Sequence, residues 1–136
     1  MPEKGTVLAF DFGLKRIGVA VGEAEMRSAH PLAVVRSFSE IEKIFREWRP
    51  SRVVVGLPVA EAGVHPLARR IERFARQVEG RYKVPVALID ERFTSAEAES
   101  RLKEAGTRSP LKRNVDSIAA QLILEQYVGE TRAAAT

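Results

Sequence analysis

Thr6-Val-Leu-Ala-Phe-Asp-Phe-Gly-Leu-Lys-Arg-Ile-Gly-Val-Ala-Val-Gly22 is the stretch that decides the fold. Val7 to Phe10 form an apolar run without polar alternation, the pattern of a strand buried on both faces. The chain turns at Gly13, and Ile17, Val19 and Val21 then alternate with smaller or polar residues as a second strand returning beside the first. Gly18 and Gly22 leave backbone uncovered where a partner can approach closely. One carboxylate, Asp11, interrupts the apolar run. A buried carboxylate is costly without compensation by a metal ion or hydrogen bonds. Two readings fit it: a cation ligand, or an Asp whose side chain bonds the turn backbone near Gly13.

The surrounding chain bounds the answer. Its 136 residues suffice for one compact domain, expected over 1–136, and are too few for two ordinary ones. There is no cysteine, which excludes disulfides, thiolate catalysis and Cys-based zinc sites. No apolar run reaches membrane-spanning length and the N-terminus lacks a signal-peptide pattern, so a cytoplasmic protein with no membrane partner is expected. The net charge of +4 and pI of about 9.8 permit a polyanionic partner. Arginine dominates the basic residues and forks well onto phosphate, though it equally suits a heat-adapted surface.

Outward from the opening hairpin, Pro31–Arg36 reads as a third strand, its leading Pro suited to a sheet edge. Ser39 and Glu42 form a capping box ahead of a helix with apolar Ile41, Ile44, Phe45 and Trp48, stopped by Pro50. Arg52–Pro58 reads as a buried parallel strand. From Val64 to Val78 the apolar spacing predicts a second helix. A further buried strand, Val84–Ile89, runs into Asp90-Glu91-Arg92. Thr94 with Glu97 caps a helix ending at Gly106, residues 106–114 read as a basic loop, and Asn114 caps a last helix ending at Gly129, with a frayed tail beyond. Three strands with short connections, then alternating helix and strand, predict an α/β fold. Its five-stranded mixed sheet has the first three strands antiparallel, the last two parallel to the first, and helices on both faces.

Three acidic positions then align. Asp11 lies at the end of the first strand, Glu91 (with Asp90) follows the last, and Asp116 sits in the first turn of the last helix, where the helix dipole alone also favours it. Asp90 and Glu91 point to opposite sides of an extended chain, so only one can face a shared site. The two histidines, His30 and His65, cannot form a metal cluster, and His65 carries no functional signal of its own. An acidic trio without a His, Cys or Lys partner suits hard divalent cations such as Mg²⁺. Two such ions could activate water and stabilise a leaving oxygen in phosphodiester hydrolysis. Arg16, Arg92, Lys112 and Arg113 flank the acids in sequence as candidate phosphate-binding residues.

Leu8-Ala-Phe-Asp-Phe-Gly-Leu-Lys-Arg-Ile-Gly-Val-Ala-Val, Val55-Gly-Leu-Pro, Asp90-Glu-Arg-Phe-Thr-Ser and Val115-Asp-Ser-Ile-Ala-Ala-Gln-Leu-Ile-Leu together resemble the YqgF family, also called RuvX. The resemblance spans residues 6–128. It implies an RNase H-like fold akin to RuvC-type Holliday junction resolvases, and a nuclease using Mg²⁺ or Mn²⁺ that processes the 5′ end of pre-16S ribosomal RNA in ribosome biogenesis. Asp11, Glu91 and Asp116 match the family's acidic triad. The loop Val59–Ala62 departs from the family's pattern, which has Asn or Asp there. Resolution of four-way DNA junctions is the alternative activity. Two rivals come from other classes. An actin-like ATP-binding domain shares the strand, Asp-x-Gly, strand opening but needs two lobes and a longer chain. A non-catalytic nucleic-acid-binding or ribosome-associated module would retain the fold, but an intact acidic trio repels phosphate unless metal is present. The sequence leaves open RNA against DNA, and monomer against homodimer.

Overall fold

The structure, a computed structural model, describes residues 5–23, 28–58, 65–91 and 112–135; of 112–116 and 130–135 it describes the backbone alone. In chain order the described elements are β1 (Thr6–Phe12), β2 (Ile17–Glu23), β3 (His30–Val35), α1 (Phe38–Trp48), β4 (Arg52–Pro58), α2 (Ala68–Tyr82), β5 (Val86–Glu91) and α3 (Lys112–Ala135). The strands form one sheet in the order β3-β2-β1-β4-β5. β1 pairs antiparallel with β2, and β2 with β3, whereas β1–β4 and β4–β5 are parallel. This is the expected mixed sheet, with Pro31 on its edge strand. The carboxyl ends of β1, β4 and β5 consequently share one edge.

Period-two alternation sorts β1 between two cores. Leu8 and Phe10 face α1 and α2, packing with Ile41, Phe45, Phe74 and Val78. Phe10 meets the Phe74 ring edge-on at 5.6 Å and stacks on Phe45 at 6.5 Å. Val7 and Ala9 face the other way, with Ala20, Val54 and Ile89, against Ala120, Ile123, Leu124 and Tyr127 of α3. On that face β2 presents only Gly18, Ala20 and Gly22. A Cβ on Gly22 would overlap the Ser28 carbonyl and stand 3.0 Å from Leu124 Cδ2. The partner anticipated for the bare glycines is therefore α3, whose large side chains fill the space that small sheet residues leave.

Several boundaries differ from the sequence reading. α1 starts two residues early, capped by Ser37 and not Ser39: the Glu40 amide donates to Ser37 Oγ (3.4 Å), and the Arg36 amide donates to Glu40 Oε2 (3.0 Å). Two overlapping Ser-x-x-Glu boxes compete there. The earlier one wins because it brings Phe38 into the helix, where its ring meets Phe74 at 5.8 Å. Arg49 in the left-handed conformation (φ 43°) closes α1. α2 starts at Ala68, because His65-Pro66-Leu67 forms its own turn: His65 Nδ1 accepts the Leu67 amide (3.1 Å) and the His65 carbonyl accepts the Ala68 amide (3.0 Å). β5 includes Asp90 and Glu91 and is an edge strand with Leu88 exposed, so it is not buried on both faces as expected.

α3 begins at Lys112, which places Lys112 and Arg113 in its first turn and not in a loop, and Asn114 inside the helix. Lys and Arg are good helix formers and extend it forward. The helix also passes through Gly129 to Ala135, where Thr-Arg-Ala-Ala-Ala sustains it against the cost of one glycine. The expected helix from Thr94 to Gly106 and the loop Val59–Ala62 lie outside the described residues. No helix among the described residues is long and apolar enough to cross a membrane.

The two capping boxes are separable by experiment. Ser37→Ala removes the cap in use and lowers stability by about 1 kcal/mol, while Ser39→Ala leaves it within about 0.5 kcal/mol of wild type. Urea unfolding of both variants measures the contrast.

Candidate active site

The parity that divides the core also selects the acids. Asp11 continues the Val7, Ala9 set, and so belongs to the α3 face at the carboxyl end of β1. On β5, Ala87 and Ile89 face α3, and Glu91 continues that set. Asp90 belongs to the opposite, exposed side, and its carbonyl accepts a hydrogen bond from Gln126 Nε2 of α3 (2.6 Å). Of the two neighbouring acids, Glu91 is the one that shares a face with Asp11.

The two carboxyl groups meet: a side-chain hydrogen bond joins Asp11 and Glu91. They come from strands that do not pair, since β4 lies between them. Glycines make the contact possible. Asp11 lies opposite Gly18 across the β1–β2 ladder, and Gly56 occupies β4 one residue beyond the Phe10–Val55 pair. A Cβ on Gly56 would stand 3.0 Å from Glu91 Cγ and overlap Ile123 Cδ1. Glu91 can therefore lean across bare β4 backbone toward Asp11, with Ile123 packed beside it.

Burial dominates the electrostatics and raises the Glu91 pKa above the ordinary glutamate value; the bond to Asp11 and the field of His65 pull it down without cancelling the rise. Two carboxyl groups joined by a hydrogen bond hold a proton between them. Losing that proton leaves two negative charges in contact and half-buried. The pair offers hard oxygen donors to a cation that would neutralise them.

The other expected site residues are distributed as follows. Asp116 lies in α3, four residues before the buried Ala120, and its side chain is outside the described residues, as are those of Lys112 and Arg113. Arg92 is outside them altogether. Arg16 sits half-buried in the β1–β2 turn, among the residues that line a cavity between that turn, α1 and α2. Among the described residues no group of three or more His, Asp or Glu is arranged to hold a metal ion. Sequence reasoning missed His65 and Gly56. His65 acts at a distance in sequence through a turn that no local pattern announces. Gly56 did leave a signal, as a glycine inside an otherwise continuous apolar strand.

Residues 5–130 match the family model of RuvX, described as Holliday junction resolvase. The chain belongs to the RuvX family. A relative from Nitrosomonas europaea, named "Putative pre-16S rRNA nuclease", is 47% identical over 138 residues, covering 96% of this chain and 93% of that one. One of the same name from Dechloromonas aromatica is 46% identical over 131 residues and 90% of each chain. Among solved structures, Thermus thermophilus RuvC matches with a TM-score of 0.59 at 14% identity, over 94% of this chain and 96% of that chain. A fowlpox virus resolvase, solved with Holliday junction DNA, matches at 0.55 and 13% identity, over 93% and 98%. At these identities the likeness is one of fold: this RuvX chain has the RuvC-like, RNase H-type sheet.

Two measurements probe the acidic pair. Folded Glu91 holds its proton more tightly than an unfolded glutamate. Its stabilising contribution is therefore complete below the ordinary value of 4.5 and is lost as pH rises through the elevated value. In chelator-treated buffer, Glu91→Gln should gain stability relative to wild type as pH rises from about 4 to about 8, the gain levelling once Glu91 is ionised. Denaturant unfolding across pH reads it, and a gain that does not grow with pH contradicts the buried pair. Gly56→Ala places a methyl against Ile123 and Glu91, and should cost about 1–3 kcal/mol by the same unfolding measurement while weakening any function of the pair.

Proposed function

We propose that this RuvX chain is a divalent-metal-dependent endonuclease that hydrolyses phosphodiester bonds in structured nucleic acid. Its substrate is the 5′ region of pre-16S rRNA, and Asp11, Glu91 and Asp116 are its metal-holding residues. The observation that carries this reading is the hydrogen-bonded, half-buried contact of Asp11 and Glu91 at the carboxyl edge of a parallel strand set. The relatives' name supports the RNA substrate. Resolution of four-way DNA is the second reading, favoured by the family's description and by resolvase neighbours solved with junction DNA. We assign the activity to the cytoplasm, in keeping with a cysteine-free chain.

The donor set fits a hard cation: carboxylate oxygens brought together at a cost that positive charge relieves. Asp116 is added because four- and seven-residue spacings relate it to Ala120 and Ile123, which pack on the same sheet face. When bound, one or two Mg²⁺ or Mn²⁺ ions supply acidification of the attacking water and neutralisation of the charge that develops on phosphate. The chain's own part is geometric and electrostatic. Asp11 is fixed by β1 and Glu91 by β5, so their oxygens are held by strands and not by a loop. Gly56 makes room on β4 for Glu91 and for Ile123 packed beside it.

Asp11→Asn keeps the side-chain shape and removes the charge. Cleavage of a pre-16S rRNA fragment should fall by orders of magnitude, while binding in metal-free buffer persists or tightens. Adding Mg²⁺ or Mn²⁺ should raise the melting temperature of wild type and not of Asp11→Asn. A structural Asp11 predicts the reverse: a less stable variant that loses binding together with activity. Running four-way DNA beside the RNA ranks the two substrates.

A further inference from the structure

On the opposite side of the sheet edge from the carboxylates, the β1–β2 turn, the start of α1 and the middle of α2 enclose a cavity of about 180 Å³. Its inner wall is aromatic. Phe12 and Phe38 are half-buried, and their rings lie 5.2 Å and 5.8 Å from that of Phe74 beneath them. Its rim is cationic, with exposed Lys15 and Arg36 facing the opening beside Arg16. Gln77 of α2, also exposed, adds an amide that can both donate and accept. No lining residue is acidic. Leu14, 63% exposed at the tip of the turn, extends the apolar surface outward. The core does not need it there.

We propose that this cavity holds one unpaired nucleotide of the substrate strand: the base lies against Phe12 under Leu14, beside Phe38, whose ring carries the Arg81 guanidinium at 4.1 Å, and the adjoining phosphate lies on Lys15 and Arg36. The proposal rests on the nuclease reading and refines it, because it makes an unpaired nucleotide near the scissile phosphate part of what the protein recognises. Three features favour this occupant over an apolar peptide. A lining that carries Lys15 and Arg36 and no carboxylate favours an anion. Aromatic walls accept the flat face of any base, so affinity would tolerate sequence. An amide at the rim matches the donors and acceptors of a base edge, which only an unpaired base exposes fully. The location fits as well. Phe12 follows Asp11 directly, its side chain passing to the other face of the sheet, so a strand crossing the edge at the Gly13 turn could touch both places. That turn is compact: a Cβ on Gly13 would stand 2.7 Å from the Arg16 carbonyl oxygen.

The test uses the full chain in the Asp11→Asn background for binding and the wild-type background for cleavage. The probes are an RNA hairpin with a three-nucleotide unpaired flank carrying 2-aminopurine, and the same hairpin made blunt. The flanked hairpin should bind roughly tenfold or more tightly than the blunt one, with a change in 2-aminopurine fluorescence on stacking. Combined Leu14→Ala, Lys15→Ala and Arg36→Ala should abolish both the preference and the fluorescence change, with blunt-hairpin affinity falling much less. These are surface positions, so folding is checked by an unchanged melting temperature; Gln77→Ala, alone on the exposed side of α2, is the milder second variant. In the cleavage arm the triple variant should raise KM for the flanked hairpin while kcat stays near wild type. Equal affinity of wild type for the two hairpins, or a preference that survives the triple variant, overturns the proposal and leaves the cavity to a protein partner. Wild type that cleaves neither hairpin counts against the nuclease reading, while the binding arm still decides the cavity.

Discussion

Holding two carboxyl groups in contact is the demand to which this structure answers. The groups repel when ionised, and burial makes each ionisation harder. A fold relying on loops could let them drift apart. Here each acid is anchored in a strand, on either side of β4, so the sheet itself sets their separation. Burial, and not the contact itself, raises the pKa of Glu91, and the backbone is undistorted: among the described residues, positive φ occurs only at Gly5 and at the helix-closing Arg49 and Lys83.

The sequence made most of the sheet legible because its signals were local and strong. The apolar run Val7–Phe10, the turn at Gly13 and the alternation from Ile17 left little choice for β1 and β2, and short connections then implied the mixed order. The Asp90–Glu91 choice needed more than the rule that neighbours on a strand face opposite ways. It needed to be known which face α3 covers, and that depends on Ile89 packing against Ala120 and Ile123, which follow it by more than thirty positions. Boundaries failed where two local signals competed. Ser37 and Ser39 head equally good capping boxes, and only the Phe38–Phe74 contact separates them. Gly129 resembled a stop, yet the good helix formers after it carry α3 onward.

His65 illustrates a different kind of illegibility. Beside a proline in a presumed loop it carried no pattern, and no spacing related it to the acids. In the fold its ring accepts the Leu67 amide, its carbonyl accepts the Ala68 amide, and its field reaches Glu91. One residue thus starts α2 and biases the charge of a strand on the far side of β4. Tertiary structure creates this role, and reading outward from motifs could not find it.

The two halves of the sheet edge carry opposite charge, and that constrains how they can work together. Negative charge gathers on the α3 face at Asp11 and Glu91, while Lys15 and Arg36 line an aromatic cavity between the β1–β2 turn, α1 and α2. A polyanion drawn to the cations meets repulsion at the acids, so the phosphate nearest the acids binds favourably only once their charge is offset. Whatever offsets it must then be bound more tightly when nucleic acid is present, because coupling between two sites is reciprocal. The two sites lie close because Phe12 follows Asp11 directly at the end of β1. In the proposed nuclease, substrate affinity and cation affinity are thereby expressions of one electrostatic balance, set by where β1 ends.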